Sequence, residues 1–265
     1  MPAGDLLSIL PGLKHLYDRT GRKSVIYQRI NLGYGDMYGA YPGAVYSIKN
    51  DEGVPVTMNK ATFDALSPLL CYQDYIHDFR IWDGEQVDYD FDMLRQFDST
   101  MPYGSINRWG WYLWPEMACD LSLKSIDVSH PQALTDRDSL RDKMIINRTE
   151  RYNNMLISYT FLKKYNDKVL FVGLPTEHQV FCKQHGIDVP LYSVNNFFDL
   201  AVIMNNCKLF IGNQSMAFQI AEHLKVPRIL ECCKQIPNVI GSGPGFYDFI
   251  NQRSLEYYCD KLYNS

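Results

Sequence analysis

Three predicted strand ends in the second half of the sequence carry polar residues suited to binding a phosphorylated ligand. Asn147, Arg148 and Arg151 follow one strand, Gly212, Asn213, Gln214 and Ser215 follow another, and Glu231 ends a third. The carboxyl ends of parallel strands lie at the same edge of a sheet, and ligands of open parallel sheets bind there. The spacing therefore predicts that these residues lie near one another.

The chemistry of these residues fits a nucleoside diphosphate. The turn at residues 212–215 combines a glycine, polar side chains and the start of a helix, whose free N–H groups attract anions. The guanidinium groups of Arg148 and Arg151 suit phosphate oxygens. A carboxylate at Glu231 can accept hydrogen bonds from adjacent ribose hydroxyls. The sequence has neither a P-loop nor a G-x-G-x-x-G motif, so the predicted site is of another kind.

Each of these residues also has a plainer interpretation. Asn213 and Ser215 are common helix caps, and Arg148 and Arg151 can be solvated surface charges. Glu231 can be an exposed strand end. Their common placement at one sheet edge favours the binding site.

The elements that must position these residues alternate between strand and helix. Short apolar strands and helices follow one another over residues 143–245, including a predicted helix over 154–165, and this pattern is typical of a Rossmann-like domain with a parallel sheet. Residues 1–128 are predicted to form a second α/β domain, joined by a polar linker over 129–142. A C-terminal helix within 246–265 is predicted to pack back on the first domain.

Composition excludes several classes of function. The chain has 265 residues, 46% of them hydrophobic, and a formal net charge of −4, which argues against a protein that grips duplex nucleic acid through many phosphates. Its seven cysteines form no C-x-x-C pair and no zinc-ligand set, which indicates a reducing compartment and no metal site. No signal peptide and no apolar run of about 18 residues are visible. We therefore expect a cytoplasmic protein without a membrane span.

The strand, turn and helix over residues 209–227 resemble the signature of the ADP-heptose:lipopolysaccharide heptosyltransferase family. The opening Gly4-Asp5, followed by Leu10-Pro11 and Leu13, resembles the N-terminal motif of the same family. The resemblance implies a GT-B glycosyltransferase with two Rossmann-like domains. In that architecture the nucleotide-sugar donor binds the C-terminal domain, the acceptor binds the N-terminal one, and neither a metal nor a further cofactor is required.

The resemblance also implies roles for individual residues. Asp5 would be the general base, the turn at residues 212–215 would hold the diphosphate, and Arg148 or Arg151 would neutralise the leaving group. Glu231 would bind the nucleoside. The sequence departs from the family at Gln214, where an Asp is usual, and at Gln219, where a His is usual; these amides can only form hydrogen bonds.

The beginning of the sequence departs from the family as well. Only three residues precede Gly4, so the usual first strand is missing or shortened. The N-terminal Rossmann-like domain is therefore expected to be incomplete, which weakens the role of Asp5.

Two other functions fit the same pattern. A non-catalytic sugar-nucleotide-binding protein of this fold would explain the two glutamines. A glycosyltransferase that acts on a modified nucleic-acid base would use an aromatic-rich segment to stack that base, and its candidates are Tyr103, Trp109, Trp111 and Trp114. We favour core packing for these rings. The acidic run at residues 88–92 contains an Asp-x-Asp pair, which we interpret as a solvated loop.

Overall fold

The computed structural model describes residues 1–33, 48–95, 104–129, 138–233 and 237–265. Within these ranges the chain forms an α/β fold with two separate parallel sheets. Most of the predicted linker, residues 130–137, and Tyr103 of the aromatic-rich segment lie outside the described residues.

Two short helices open the described chain. Helix α1 (Ala3–Ser8) is followed directly by α2 (Leu10–Thr20), which has Pro11 in its first turn. Proline is tolerated there because its missing N–H would have no intrahelical partner. Helix α2 ends at Gly21, whose positive φ of 68° suits glycine. No strand precedes α1 among the described residues.

In the described ranges the first sheet has two strands. Strand β1 (Ser24–Gln28) pairs in parallel with β2 (Ile76–Ile81), and helix α3 (Lys60–Cys71) lies between them in the chain. Asn59 caps α3 by accepting a hydrogen bond from the N–H of Thr62. As far as residues 1–33, 48–95 and 104–129 show, this half of the chain is a small α/β unit with fewer strands than a full Rossmann sheet.

The second sheet has five parallel strands in the spatial order β4-β3-β5-β6-β7. Their bounds are Met144–Asn147 for β3, Val169–Phe171 for β4, Leu209–Asn213 for β5, Arg228–Glu231 for β6 and Phe246–Phe249 for β7. The chain leaves β3 toward β4 on one side and leaves β5 toward β6 on the other. The neighbours β3 and β5 thus form the switch point of the sheet, where open α/β folds bind their ligands.

Successive residues of a strand point to opposite sides of the sheet, and in these strands both sides are apolar. Helices therefore cover both faces of the sheet. Phe210 belongs to the core shared with the first half, whereas Leu209 and Ile211 belong to the core on the other face. The remaining helices are α4 (Trp109–Leu113), α5 (Pro175–His185), α6 (Phe197–Asn206), α7 (Met216–Leu224) and α8 (Gln252–Tyr263).

The two halves share one hydrophobic core. Leu7 and Leu10 of the first helices belong to the same cluster as Phe218 and Ile220 of α7. At the contact between α1 and α7, a methyl group added to Gly4 would lie 3.7 Å from the Cα atom of Met216. The first helix is thus packed directly on the helix that follows the predicted diphosphate turn.

Two sequence predictions about the second half were wrong. Residues 154–165 form no α-helix: Asn154 turns the chain by accepting from the N–H of Leu156, and a 3-10 segment, Thr160–Lys168, follows, broken at Asn166 where φ is 48°. In the described part of the chain, the C-terminal helix α8 does not pack back on the first half. Strand β7 extends the second sheet, and the buried side chains of α8 belong to the core built from second-half residues.

None of the helices in the described ranges combines the length and apolarity needed to cross a bilayer.

His223 on α7 is buried in the interior, with 1% of its surface exposed. Burial lowers the pKa of its imidazole well below the ordinary value of 6.5, and the nearby charges of Lys225 and Arg228 act in the same direction. A hydrogen bond with the backbone of Leu7 raises this pKa, but the effect of burial is larger. The folded protein therefore holds His223 neutral, whereas the unfolded chain protonates it as the pH falls.

We expect the free energy of unfolding to decrease as the pH is lowered through about 6.5, because only the unfolded state then binds the proton. The slope contributed by His223 approaches about 1.4 kcal/mol per pH unit. Burial also lowers the pKa of His185, to about 4. In a variant without His223, the unfolding free energy therefore still decreases as the pH is lowered, because of His185.

Urea unfolding between about pH 5.5 and 8 measures this dependence. His223→Gln should reduce the change of unfolding free energy per pH unit by the amount that corresponds to about one proton. This holds whatever the effect of the substitution on stability at neutral pH. His77→Gln, at an exposed position on β2, is the control for the change of residue type. An unaltered slope in His223→Gln would contradict the prediction.

Candidate active site

The polar residues after β3 and β5 meet at the switch point of the second sheet. Asn147 lies opposite Gly212 in the pairing of the two strands. A side chain at Gly212 would come within 3.0 Å of the carbonyl oxygen of Asn147, so this close approach requires glycine. The two turns that the sequence predicted to be neighbours are therefore in contact.

Asn213 ties the two turns together. Its side chain is fully buried. Its Oδ1 accepts a hydrogen bond from the N–H of Thr149 at 3.1 Å, and its Nδ2 donates to the carbonyl of Thr149 at 3.1 Å and to Oδ1 of Asn153 at 2.9 Å. The amide thus acts as a clamp on the loop at residues 149–153.

Ser215 is the N-cap of α7. Its Oγ accepts from the N–H of Phe218 at 3.3 Å and donates to Oδ1 of Asn147 at 3.1 Å. Asn147 in turn donates from Nδ2 to the carbonyl of Val172 at 2.7 Å. The cap leaves the N–H groups of Met216 and Ala217 without an intrahelical acceptor, as at the start of any helix, and this positive end faces the switch point.

The two glutamines that replace the family's acid and histidine are both buried. Gln214 accepts from the N–H of Cys233 at 2.7 Å through Oε1 and donates from Nε2 to Asn238 at 3.1 Å, so it fastens the chain after β6. Gln219 lies inside α7 with 2% of its surface exposed. Neither position presents a charged or exposed group to a ligand.

Arg148 and Glu231 are bound to each other, a geometry that differs from their predicted separate contacts with the donor. The guanidinium Nε and Nη2 donate to the two carboxylate oxygens at 2.8 and 3.0 Å, and both side chains are almost fully buried. The carboxylate also accepts from the N–H of Asn154 at 2.6 Å and from the hydroxyl of Tyr159 at 2.8 Å. This saturated pair holds the loop after β3 against the end of β6.

Arg151 is the remaining guanidinium of the predicted set. Its side chain is half-buried, and its guanidinium carbon lies 5.2 Å from the centre of the Tyr152 ring. Its charge also lowers the pKa of Glu177, which places the two groups in one electrostatic neighbourhood.

Glu177 is a residue of this edge that the sequence analysis missed. It stands in the first turn of α5, where its Oε2 accepts from the N–H of Leu174 at 3.0 Å. Burial raises the pKa of its carboxyl, more strongly than that hydrogen bond lowers it. The signal for it was available, because a glutamate two residues after a proline at a helix start is a usual N-terminal cap partner.

Asp5 lies in the first turn of α1, directly after the glycine that packs on Met216. The structure thus brings its helix to the start of α7. The residue as a whole is half-buried, and Oδ2 of its carboxylate is buried. The helix therefore faces the same switch point as Ser215.

The aromatic-rich segment packs inward. Trp109 is buried, and Trp114 contacts the ring of Phe91 at 4.7 Å between centroids and that of Tyr89 at 5.6 Å. Trp111 is partly buried against the shared core. Packing of this kind leaves no stacking platform built from these three rings together.

In the acidic run at residues 88–92, two aspartates are exposed to solvent and the third forms an ion pair. Asp88 and Asp90 are exposed, whereas Oδ2 of Asp92 accepts from Nε of Arg29 at 3.0 Å. Within the described ranges no cluster of three or more histidine, cysteine, aspartate or glutamate side chains is arranged to hold a metal ion.

We expect Glu231→Gln to destabilise the fold by about 3 to 5 kcal/mol, because it leaves the guanidinium of Arg148 buried without a counter-charge. The double variant Arg148→Met, Glu231→Gln should recover part of this loss, since the buried charge is then removed as well. Urea unfolding at neutral pH gives the values.

The exposed pair of Lys60 and Asp64 supplies the matched control. Asp64→Asn should cost less than about 1 kcal/mol, because surface ion pairs contribute little. Equal losses in Glu231→Gln and Asp64→Asn would show that the buried pair does not hold the sheet edge.

Comparison with known proteins places this geometry in a known fold. No protein-family model matches the sequence, and no curated protein is significantly similar to it. A glycosyl transferase family 9 structure from Veillonella parvula superimposes with a TM-score of 0.60 at 11% identity, covering 100% of this chain and 95% of that one.

Two Escherichia coli structures match less well. ADP-heptose lps heptosyltransferase II gives a TM-score of 0.42 at 11% identity over 72% of this chain and 66% of its own. Heptosyltransferase WaaC with ADP gives 0.43 at 9% identity over 98% and 95%. The chain is therefore similar in fold, along its whole length, to the Veillonella glycosyl transferase family 9 protein.

Proposed function

We propose that this protein is a glycosyltransferase that moves a sugar from a nucleotide-diphosphate donor to an acceptor hydroxyl without a metal ion. The observation that carries the proposal is the switch point of the second sheet, where the capped start of α7 and the loop with Arg151 meet below α1. Full-length similarity of fold to a glycosyl transferase family 9 structure supports it. The proposed location of the protein is the cytoplasm.

In this proposal the second half binds the donor. The N–H groups at the start of α7 and the hydroxyl of Ser215 contact the diphosphate, and Arg151 balances the charge of the nucleoside-diphosphate leaving group. Asn147, Asn213 and Gln214 hold these groups in place through the hydrogen bonds described above. The Arg148–Glu231 pair positions the loop after β3 and does not itself contact the phosphates.

The first half supplies the acceptor side. Asp5 removes the proton of the acceptor hydroxyl as its oxygen attacks the anomeric carbon of the donor sugar. The bond between that carbon and the diphosphate oxygen breaks, and the leaving diphosphate takes the electron pair. The contact of α1 with the start of α7 supports this role, because it puts the carboxylate-bearing helix next to the diphosphate turn.

One observation favours a binding protein without turnover. Arg148 is already neutralised by Glu231, and Gln214 and Gln219 carry no charge, so Arg151 is the remaining cation of the predicted set. A binder needs only this group and the helix dipole. Hydrolysis or transfer assays with every donor that binds distinguish the two functions.

Arg151→Ala should weaken donor binding by about 10- to 100-fold, the loss expected for one charge-assisted hydrogen bond. Thermal-shift screening with UDP-, ADP-, GDP- and CMP-linked sugars first identifies the nucleotide, since a bound ligand raises the unfolding temperature. Titration calorimetry with that donor then compares the variants. Arg253→Ala, at an exposed position on α8, is the control, and equal affinities in the two variants would refute the role of Arg151.

Asp5→Asn should lower kcat by about 100-fold or more while the donor affinity stays within about twofold, because a general base acts on the acceptor proton and not on the nucleotide. Release of the nucleoside diphosphate with a saccharide acceptor is the readout. Asp18→Asn, at an exposed position on α2, should keep full turnover. Wild-type turnover in Asp5→Asn would exclude this residue as the base.

A further inference from the structure

A small pocket lies where α1 and α2 meet the segment around α4. It has room for about one water-sized group. Its walls combine polar and aromatic side chains with a glycine, and they include Ser8, Gly12, Phe91, Asn107, Trp111 and Met117. None of these residues belongs to the switch point described above.

Asn107, in the wall of the pocket, has an unused hydrogen-bond acceptor. The residue is 4% exposed, and its Oδ1 has no donor within hydrogen-bond distance in the described part of the chain. A buried polar atom without a partner costs free energy, so such atoms are rare unless a ligand or a water satisfies them. A hydroxyl group that entered the pocket would donate to this oxygen.

The aromatic residues of the pocket suit the body of a sugar. Trp111 is only partly buried, and the guanidinium carbon of the exposed Arg108 lies 5.6 Å from the centre of its ring. An aromatic ring offers an apolar face to the C–H groups of a pyranose, and an adjacent guanidinium offers donors to its hydroxyls. The pocket is too small for a ring, so only one hydroxyl or hydroxymethyl group enters it.

The position of the pocket relates it to the proposed reaction. Ser8, in its wall, is on the same short helix as Gly4, which packs on the start of α7. Four residues of α-helix span about 6 Å. A group held in the pocket is thus about one helical turn away, along α1, from the proposed diphosphate turn, with Asp5 between them in the helix.

We propose that this pocket is the acceptor subsite, and that it binds a saccharide by taking one of its hydroxyl or hydroxymethyl groups onto Oδ1 of Asn107. The sugar ring lies outside, against Trp111 and within reach of Arg108. The assignment to the acceptor rests on the proposed function, whereas the binding of a sugar hydroxyl at Asn107 rests on the pocket alone.

Saturation-transfer NMR with simple methyl glycosides tests the proposal on the full chain. The probes are the methyl glycosides of glucose, galactose, mannose and N-acetylglucosamine. At least one should receive saturation from the wild-type protein, most strongly at protons next to the inserted hydroxyl. No transfer to any of the four at tens of millimolar overturns the proposal.

Asn107→Leu separates a ligand site from a structural role. It should weaken glycoside binding by about tenfold or more, and it should leave the unfolding temperature unchanged or raise it, because it removes a buried acceptor that has no partner. Asn264→Leu, at an exposed position after α8, is the matched control and should keep glycoside binding.

Arg108→Ala tests the outer part of the site at an exposed position and decides the question if Asn107→Leu does not fold. It should weaken glycoside binding severalfold without changing the thermal shift produced by the nucleotide. Glycoside binding equal to wild type in every folded variant of this pair overturns the subsite.

Nucleotide binding by the same samples distinguishes this inference from the proposed function. Nucleotide binding without glycoside binding overturns the subsite and leaves the donor site standing. Glycoside binding without nucleotide binding supports a sugar pocket at Asn107 but overturns its assignment to an acceptor.

Discussion

The buried carboxylate of Glu231 fixes the edge of the sheet on which the candidate site is built. It accepts hydrogen bonds from Arg148, from the N–H of Asn154 and from the hydroxyl of Tyr159, so its charge is fully balanced and solvated by protein. Asn154 extends the connection by donating to the carbonyl of Ile250 after β7. Removing one partner of such a pair leaves a buried charge, which is far more costly than losing a surface ion pair. These contacts hold the loop after β3 against the end of β6.

A second constraint is the small size of the first sheet, which has two strands among the described residues. Two strands do not bury enough apolar surface to be stable alone, and β1 and β2 are covered by packing α1, α2 and α3 into the core that α6 and α7 also occupy. The consequence for the site is direct. The helix that carries Asp5 is part of the common core, so its approach to α7 is set by the burial of Leu7 and Leu10 and not by a mobile loop.

Local sequence patterns predict many of the strands and helix ends of the second half correctly. The strands β3, β4 and β5 are nearly continuous apolar runs, and Gly186 and Ser215 end and begin helices as their types predict. The helix expected over 154–165 failed because its periodicity competes with side chains that fold the backbone locally, such as Asn154. Strand β7 was missed because Tyr247 and Asp248 interrupt its apolar pattern, and pairing with β6 supplies what the pattern lacks.

The meaning of individual site residues was harder to predict than their location. Arg148 and Glu231 are 83 positions apart in the sequence, and no local pattern shows that each is the partner of the other. Both residue types fit a ligand-binding role equally well, and only the three-dimensional pairing decides between them. The same holds for Asn213. The sequence predicted that it contacts phosphate, whereas both the oxygen and the nitrogen of its amide bind the loop at residues 149–153.

These pairings change the electrostatics of the candidate site. With Arg148 neutralised, the positive potential at the switch point comes from the start of α7 and from Arg151, whose charge also acts on Glu177. A helix N-terminus attracts any phosphate and carries no information about the nucleoside. In the proposed function, selectivity among nucleotide sugars therefore depends on neutral contacts and not on this positive potential. The proposed part of the buried asparagines and glutamine in it is to fix the backbone around the site, in the manner of supporting groups that hold a site in one geometry.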